Sequence, residues 1–115
     1  MTGQFSNARK FASDGYKRFE HQPGSEWHWK FTLLLAEMFL YNGDTRQAET
    51  LLAAPPPASF PHLLPVYEKL RAYVMFRYQD YAGGERLLRR AAAEAHSLSD
   101  FEVEAYTQLL LGSFL

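Results

Sequence analysis

The sequence predicts an all-α chain of about six helices, and three observations carry that prediction. Apolar residues recur at intervals of three and four along most of the 115 residues, which gathers them on one face of a helix. Short segments rich in proline, glycine and asparagine interrupt this periodicity at residues 22–24, 42–43 and 55–57. No stretch alternates apolar and polar residues as a half-buried strand would.

Taken in order, residues 6–19 place Ala8, Phe11, Ala12, Tyr16 and Phe19 on one face of a first helix, which the QPG segment ends. Ser25 is suited to cap a second helix, because its hydroxyl can accept from amides that the first turn leaves unpaired. That helix runs through WHWKFTLLLAEMFLY to a stop at Asn42 and Gly43. Trp27 and Trp29, two positions and so about 200° apart on a helix, face opposite sides: Trp27 with Phe31 and Met38, Trp29 with Leu33, Ala36 and Leu40. They cannot wall a single ligand cage, and His28 falls between them near Leu35 and Phe39, partly covered. A shorter helix restarts at Asp44 or Thr45 with Ala48, Leu51 and Leu52 inward; Pro55, Pro56 and Pro57 end it, since proline supplies no amide. A third long helix begins near Pro65, a favourable first-turn residue, and continues to about Gln79. Another shorter one follows from near Ala82 to Ala95, with Leu87, Leu88, Ala91, Ala92 and Ala95 as its stripe. Ser99 and Glu102 have the spacing of a capping box and open a last helix to the chain end.

Composition narrows the function classes. Hydrophobic residues make up 47% and charged residues 22%, values of an ordinary globular domain. The net charge of −1 gives no global reason to expect nucleic acid or an anionic membrane as partner. The absence of cysteine excludes disulfides and thiolate metal sites. No apolar run approaches the roughly 18 residues that span a bilayer, and the first residues lack the apolar core of a signal peptide; a cytoplasmic location is expected.

The order short, long, short, long, short, long suggests an internal repeat. GQFSNA at residues 3–8, GDTRQA at 43–48 and QDYAGG at 79–84 align a turn with a small residue in the next helix, at offsets of 40 and 36. Ala36, Ala72 and Gly112 place a small residue inside the long helices at offsets of 36 and 40. A W-x2-L-G-x2-Y pattern followed by A-x3-F falls on Thr32, Leu35, Ala36 and Phe39 with Ala48 and Leu52. It recurs on Glu68, Arg71, Ala72 and Met75 with Gly84 and Leu88, and a half unit uses Gln108, Leu111, Gly112 and Leu115. The chain thereby resembles the tetratricopeptide repeat family in a divergent, bacterial-type form. It lacks the family's leading tryptophan, has Pro55 where another alanine is usual, and has longer loops. The resemblance implies a right-handed superhelical array of antiparallel helix pairs: half a repeat at 1–22, repeats at 25–60 and 63–97, and half a repeat at 99–115. The unmatched halves suggest a piece of a longer array. An ordinary bundle of six helices is the alternative, and it does not predict the recurring offsets.

Little in the chain suggests chemistry. His21, His28, His62 and His96 are scattered, with no second ligand one turn away; no nucleophile elbow or phosphate-cradling glycine loop is present. A non-enzyme without metal or cofactor is expected. Arg86, Arg89 and Arg90, with Tyr78 and Tyr81 nearby, could in principle hold a single strand, but a solvated outer helix face accounts for them. Arrays of the resembled family commonly bind a peptide or helix of another protein in the concave groove of their first helices. Carried over, those positions are Lys30, Leu33, Glu37, Leu40 and Tyr41, then Lys69, Tyr73, Phe76 and Arg77. Leu33 and Glu37 stand where a carboxylate clamp would want lysine or asparagine, so a terminal carboxylate is not the expected ligand. A second class of function is a spacer or oligomerisation arm of a larger protein. The apolar end, with Leu109, Leu110, Leu111, Phe114 and Leu115, predicts self-association through an open repeat.

Overall fold

The computed structural model describes residues 2–97, with side chains from residue 7 onward. The expected last helix lies outside the described residues, with its capping box at Ser99 and Glu102, its repeat positions and its apolar end. Within them the chain is all-helical, with no strand. Five α-helices follow one another: α1 Thr2–Phe19, α2 Glu26–Tyr41, α3 Thr45–Leu51, α4 Leu64–Arg77 and α5 Tyr81–Ser97, with a single 3-10 turn, Pro61–Leu63, leading into α4. They belong to two compact units, Met1–Ala54 and Pro55–Leu115.

In the first unit α1 lies along α2, and α2 along α3. Ala12 is fully buried against Leu35 and Met38, with Tyr16, Leu34, Phe39 and Leu51 closing around them. Gly15 sets the approach of α1 to α2, because a Cβ there would run into the Phe31 ring. Three expectations for this helix fail, the first at Ala8, which is exposed rather than inward. Phe11 is 62% exposed rather than inward, because the small residues Ala12 and Gly15 turn the contact line to one side of it. Residues 3–8 form no turn either; α1 runs through them, so the segment does not match the turn at Gly43.

The link from α1 to α2 is tied by side chains of the SEWHWKF segment. Ser25, in extended conformation, accepts from the Trp27 amide at 3.2 Å and so caps α2. A carbonyl can only accept, so His28 carries its proton on Nδ1, from which it donates to the Phe19 carbonyl at 2.8 Å. Trp29 Nε1 donates to the Pro23 carbonyl at 2.8 Å. Each of these satisfies a backbone group that the end of α1, the turn or the start of α2 would otherwise leave to water. At its other end α2 stops at Asn42, and Gly43 takes φ +82°, where glycine avoids the clash of a Cβ. The seven-residue α3 is too short to hold itself. Its buried Ala48, with the equally buried Leu52 just beyond its end, fixes it in place, a leucine of this kind contributing about 2 kcal/mol. Asp44, at its start, makes no side-chain cap and lies 4.0 Å from Arg9 instead. The helix ends at Leu51, and the proline run from Pro55 bars its resumption, because a residue preceding proline is pushed out of helical conformation.

In the second unit α4 and α5 pack along their length. Pro65 sits in the first turn of α4, as its sequence suggests. Ala72, Phe76 and Leu88 form the centre, with Leu87 against it. A Cβ on Gly84 would stand 2.6 Å from the Phe76 ring, so glycine in mid-helix, which costs about 1 kcal/mol against alanine, is explained by the closeness of α4. Asp80 caps α5 by accepting from the Gly83 amide at 3.0 Å.

The two units repeat one another in local detail at an offset of 36 residues. In the first, the Asp44 amide donates to the Phe39 carbonyl at 2.8 Å and the Gly43 amide to Leu40 at 3.1 Å. In the second, Asp80 donates to Met75 at 2.8 Å and Gln79 to Phe76 at 3.0 Å. Both are the double bond of a Schellman cap, and both put the residue beyond the cap at positive φ, +82° for Gly43 and +65° for Gln79. Several buried positions match as well, Ala36 with Ala72, Met38 with Val74, Leu40 with Phe76, Ala48 with Gly84 and Leu52 with Leu88, whereas buried Leu33 and Leu35 have half-buried Lys69 and Arg71 at the equivalent places. Thr32 and Glu68, the buried polar residues of these helices, also occupy equivalent places.

Candidate functional site

The residues expected to line a groove fall into three groups. Phe76 is core: it is 8% exposed, its ring abuts Gly84, and Ala72 and Leu88 enclose it. Leu33 and Leu40 are likewise buried. These three correct the expectation, since a side chain enclosed by its own chain offers nothing at the surface. Glu37 on α2 and Lys69 and Tyr73 on α4 are half-buried, and Tyr41 and Arg77 are exposed at the ends of their helices. Lys30 is exposed and turned along its own helix, 2.8 Å from Glu26 and with its ammonium 5.0 Å from the centre of the Trp27 ring.

Lys30 thus leads to a feature that helix-by-helix reading does not show. Phe11 and Phe19 from α1 meet Trp27 and Phe31 from α2 in one aromatic cluster. Ring centres are 5.4 Å apart for Phe11 and Phe31, 5.9 Å for Phe19 and Phe31, 6.0 Å for Trp27 and Phe31, and 6.5 Å for Phe19 and Trp27. The rings, with Asp14, Gly15 and Arg18, bound an open cleft of about 460 Å³. Trp27 remains 54% exposed. Trp29 takes no part, in keeping with the opposite sides expected for the two indoles.

The other polar features are tied within the fold. Glu68 on α4 is 3% exposed; its Oε2 lies 3.6 Å from Arg90 Nε on α5, and its Oε1 has no hydrogen-bond partner. Burial first, and the nearby Glu94 carboxylate second, push its carboxyl up to about 7, while Arg90 pulls it back. At the equivalent place Thr32 is satisfied, donating to the His28 carbonyl at 2.7 Å. Of the α5 arginines, Arg89 is held by Glu85 at 2.9 Å and Arg90 faces Glu68. His21 stands beside Glu20, and His62 and His96 are exposed and far along the chain from it. Among the described residues no group of three or more His, Asp or Glu is placed to hold a metal ion, and no helix is long and apolar enough to cross a membrane. No family model matches the chain, and no curated protein or solved structure matches it.

Proposed function

We propose that this chain is a non-catalytic protein-binding module built of tetratricopeptide-like helix pairs, each of which offers the outward stripe of its longer helix, α2 or α4, to a peptide or helix of a partner. The supporting observation is the 36-residue recurrence of the capped turn and of the buried small residues around it. Such recurrence is what a stack of like units needs, because each pair buries one face only against a neighbour of the same shape. The stripe residues that are not enclosed in the core are Glu37 and Tyr41 on α2 and Lys69, Tyr73 and Arg77 on α4, a mixture of aromatic rings with both charges. That mixture suits a segment with apolar anchors and some charge.

A photocrosslinking amino acid placed at Tyr73, with Ala93 on α5 as control position, tests the assignment in cells. The expected result is a discrete protein adduct from position 73 that is lost when Arg77 is also replaced. Adducts of equal strength from position 93, or none from 73, would leave the stripe without a ligand and favour the spacer role.

A further inference from the structure

A second cavity, of about 290 Å³, lies wholly within the second unit. Pro56, Pro57 and Pro61 line it from the loop before α4, Leu64 from the start of α4, and Glu94 and Ser97 from α5. None of the stripe residues Lys69, Tyr73 and Arg77 is among them. The lining is fixed before any ligand arrives: each proline holds its own φ, the Phe60 amide donates to the Pro57 carbonyl at 3.0 Å, and the turn Pro61–Leu63 joins the loop to α4. A site so preorganised loses little to ordering when it is filled. Its volume falls just short of the roughly 300–1,000 Å³ of small-molecule sites, which leaves room for one long side chain. Ala58, Pro61 and Ser97 at its rim are exposed, so a backbone can cross the mouth while that side chain enters.

Charge and a shortage of donors decide what fits. Glu94 is the one charged side chain of the lining; it is half-buried, and its carboxylate makes no ion pair or hydrogen bond among the described residues. Arg90, one turn earlier on α5, faces Glu68 instead. Proline has a carbonyl but no amide, so three of the lining residues cannot donate. A helix start ordinarily suits an anion, but the Leu63 and Leu64 amides are taken by the Phe60 and Pro61 carbonyls, and Pro65 has none. The cavity is therefore rich in acceptors, walled by apolar rings and marked by one unanswered carboxylate. A guanidinium, flat, weakly hydrated and carrying five donors on an aliphatic stem, meets that description better than the strongly hydrated ammonium of lysine.

We propose that this cavity receives an arginine side chain of a partner protein, its guanidinium on the Glu94 carboxylate and its stem against Pro56, Pro57 and Leu64. The ion pair is charge-assisted and partly shielded from water, which strengthens it over a pair on the open surface. The cavity acts separately from Tyr73 and Arg77, so failure at one surface leaves the other standing.

NMR titration of the full chain with pools of blocked peptides, each holding a central arginine among randomised neighbours, tests it. Shifts are expected at the amides of Ala58, Leu64, Glu94 and Ser97, and the best pool should bind about tenfold tighter than L-argininamide. Replacing the arginine by citrulline, its uncharged counterpart, should cost about tenfold, and Glu94→Gln should cost the arginine peptides a similar factor while Arg77→Ala changes nothing. The citrulline comparison uses the unaltered protein, so it decides the matter even where Glu94→Gln disturbs the fold. The proposal is overturned by citrulline peptides that bind as well, by glutamate-centred peptides that bind better, by shifts that lie elsewhere, or by no shifts at millimolar peptide. L-argininamide binding as tightly as every pool would assign the cavity to a small guanidinium compound instead.

Discussion

Glu68 is a carboxylate that the fold prefers to keep protonated, and its replacement by glutamine is the perturbation that exposes this. The carboxyl rises from 4.5 to about 7 on folding. A shift of that size corresponds to about 3 kcal/mol. The sign follows from which state holds the proton. Below pH 4.5 both states are protonated and no cost arises; between 4.5 and 7 the unfolded chain releases its proton while the folded chain keeps it, so stability falls as pH rises, and above 7 the full cost is present. Three kilocalories is a large part of the roughly 5–15 kcal/mol that holds a domain of this kind. Glu68→Gln keeps the shape and removes the titration. In urea unfolding followed by circular dichroism, the variant should therefore gain on the parent by about 3 kcal/mol between pH 4.5 and pH 8. Comparing the two proteins at each pH cancels the titrating groups that do not act on Glu68, and repeating the comparison in a Glu94→Gln background removes the one carboxylate that does. A stability difference that stays level across that range would refute the reasoning, since it would mean that Glu68 ionises in the folded chain as freely as in water.

Other consequences follow from the same contacts. Gly84→Ala should destabilise by about 1–3 kcal/mol through overpacking despite alanine's better helix propensity, and adding Phe76→Leu should recover part of the loss in thermal unfolding. Gln79→Gly should stabilise by roughly 1 kcal/mol, because φ +65° strains a residue with a Cβ; Gly43→Gln should cost a similar amount at the equivalent turn. Ser25→Ala should cost about 1 kcal/mol by removing the cap on α2, seen as a lower urea midpoint with an unchanged slope.

Much of the fold is legible because its signals are local. Ser25, Pro65 and Gly43 act through the chemistry of one turn, and helix boundaries next to them fall where that chemistry places them. Gly84 is legible for a different reason: mid-helix glycine is unfavourable unless a neighbour is close, and the neighbour is Phe76. What escapes the sequence is decided between helices. Phe11 has helical spacing to Ala12 and Tyr16, yet which side of Ala12 faces α2 depends on Gly15 and the Phe31 ring. The aromatic cleft takes two rings from each of two helices, so no single periodicity contains it. Analogy of position puts Phe76 in a groove, while the absence of a side chain at Gly84 draws it inward. Glu68 reads as a surface charge in any composition count, and only its place opposite Thr32 in the repeat marks it as buried.

If one helix-turn-helix unit occurs twice in the chain, 36 residues apart, a solution NMR structure of the full chain will show residues 32–52 superposing on residues 68–88, with Gly43 and Gln79 both at positive φ and the Asp44 and Asp80 amides both protected from exchange. Superposition only at a different offset, or a turn at Gln79 lacking the Asp80 to Met75 bond, would contradict it.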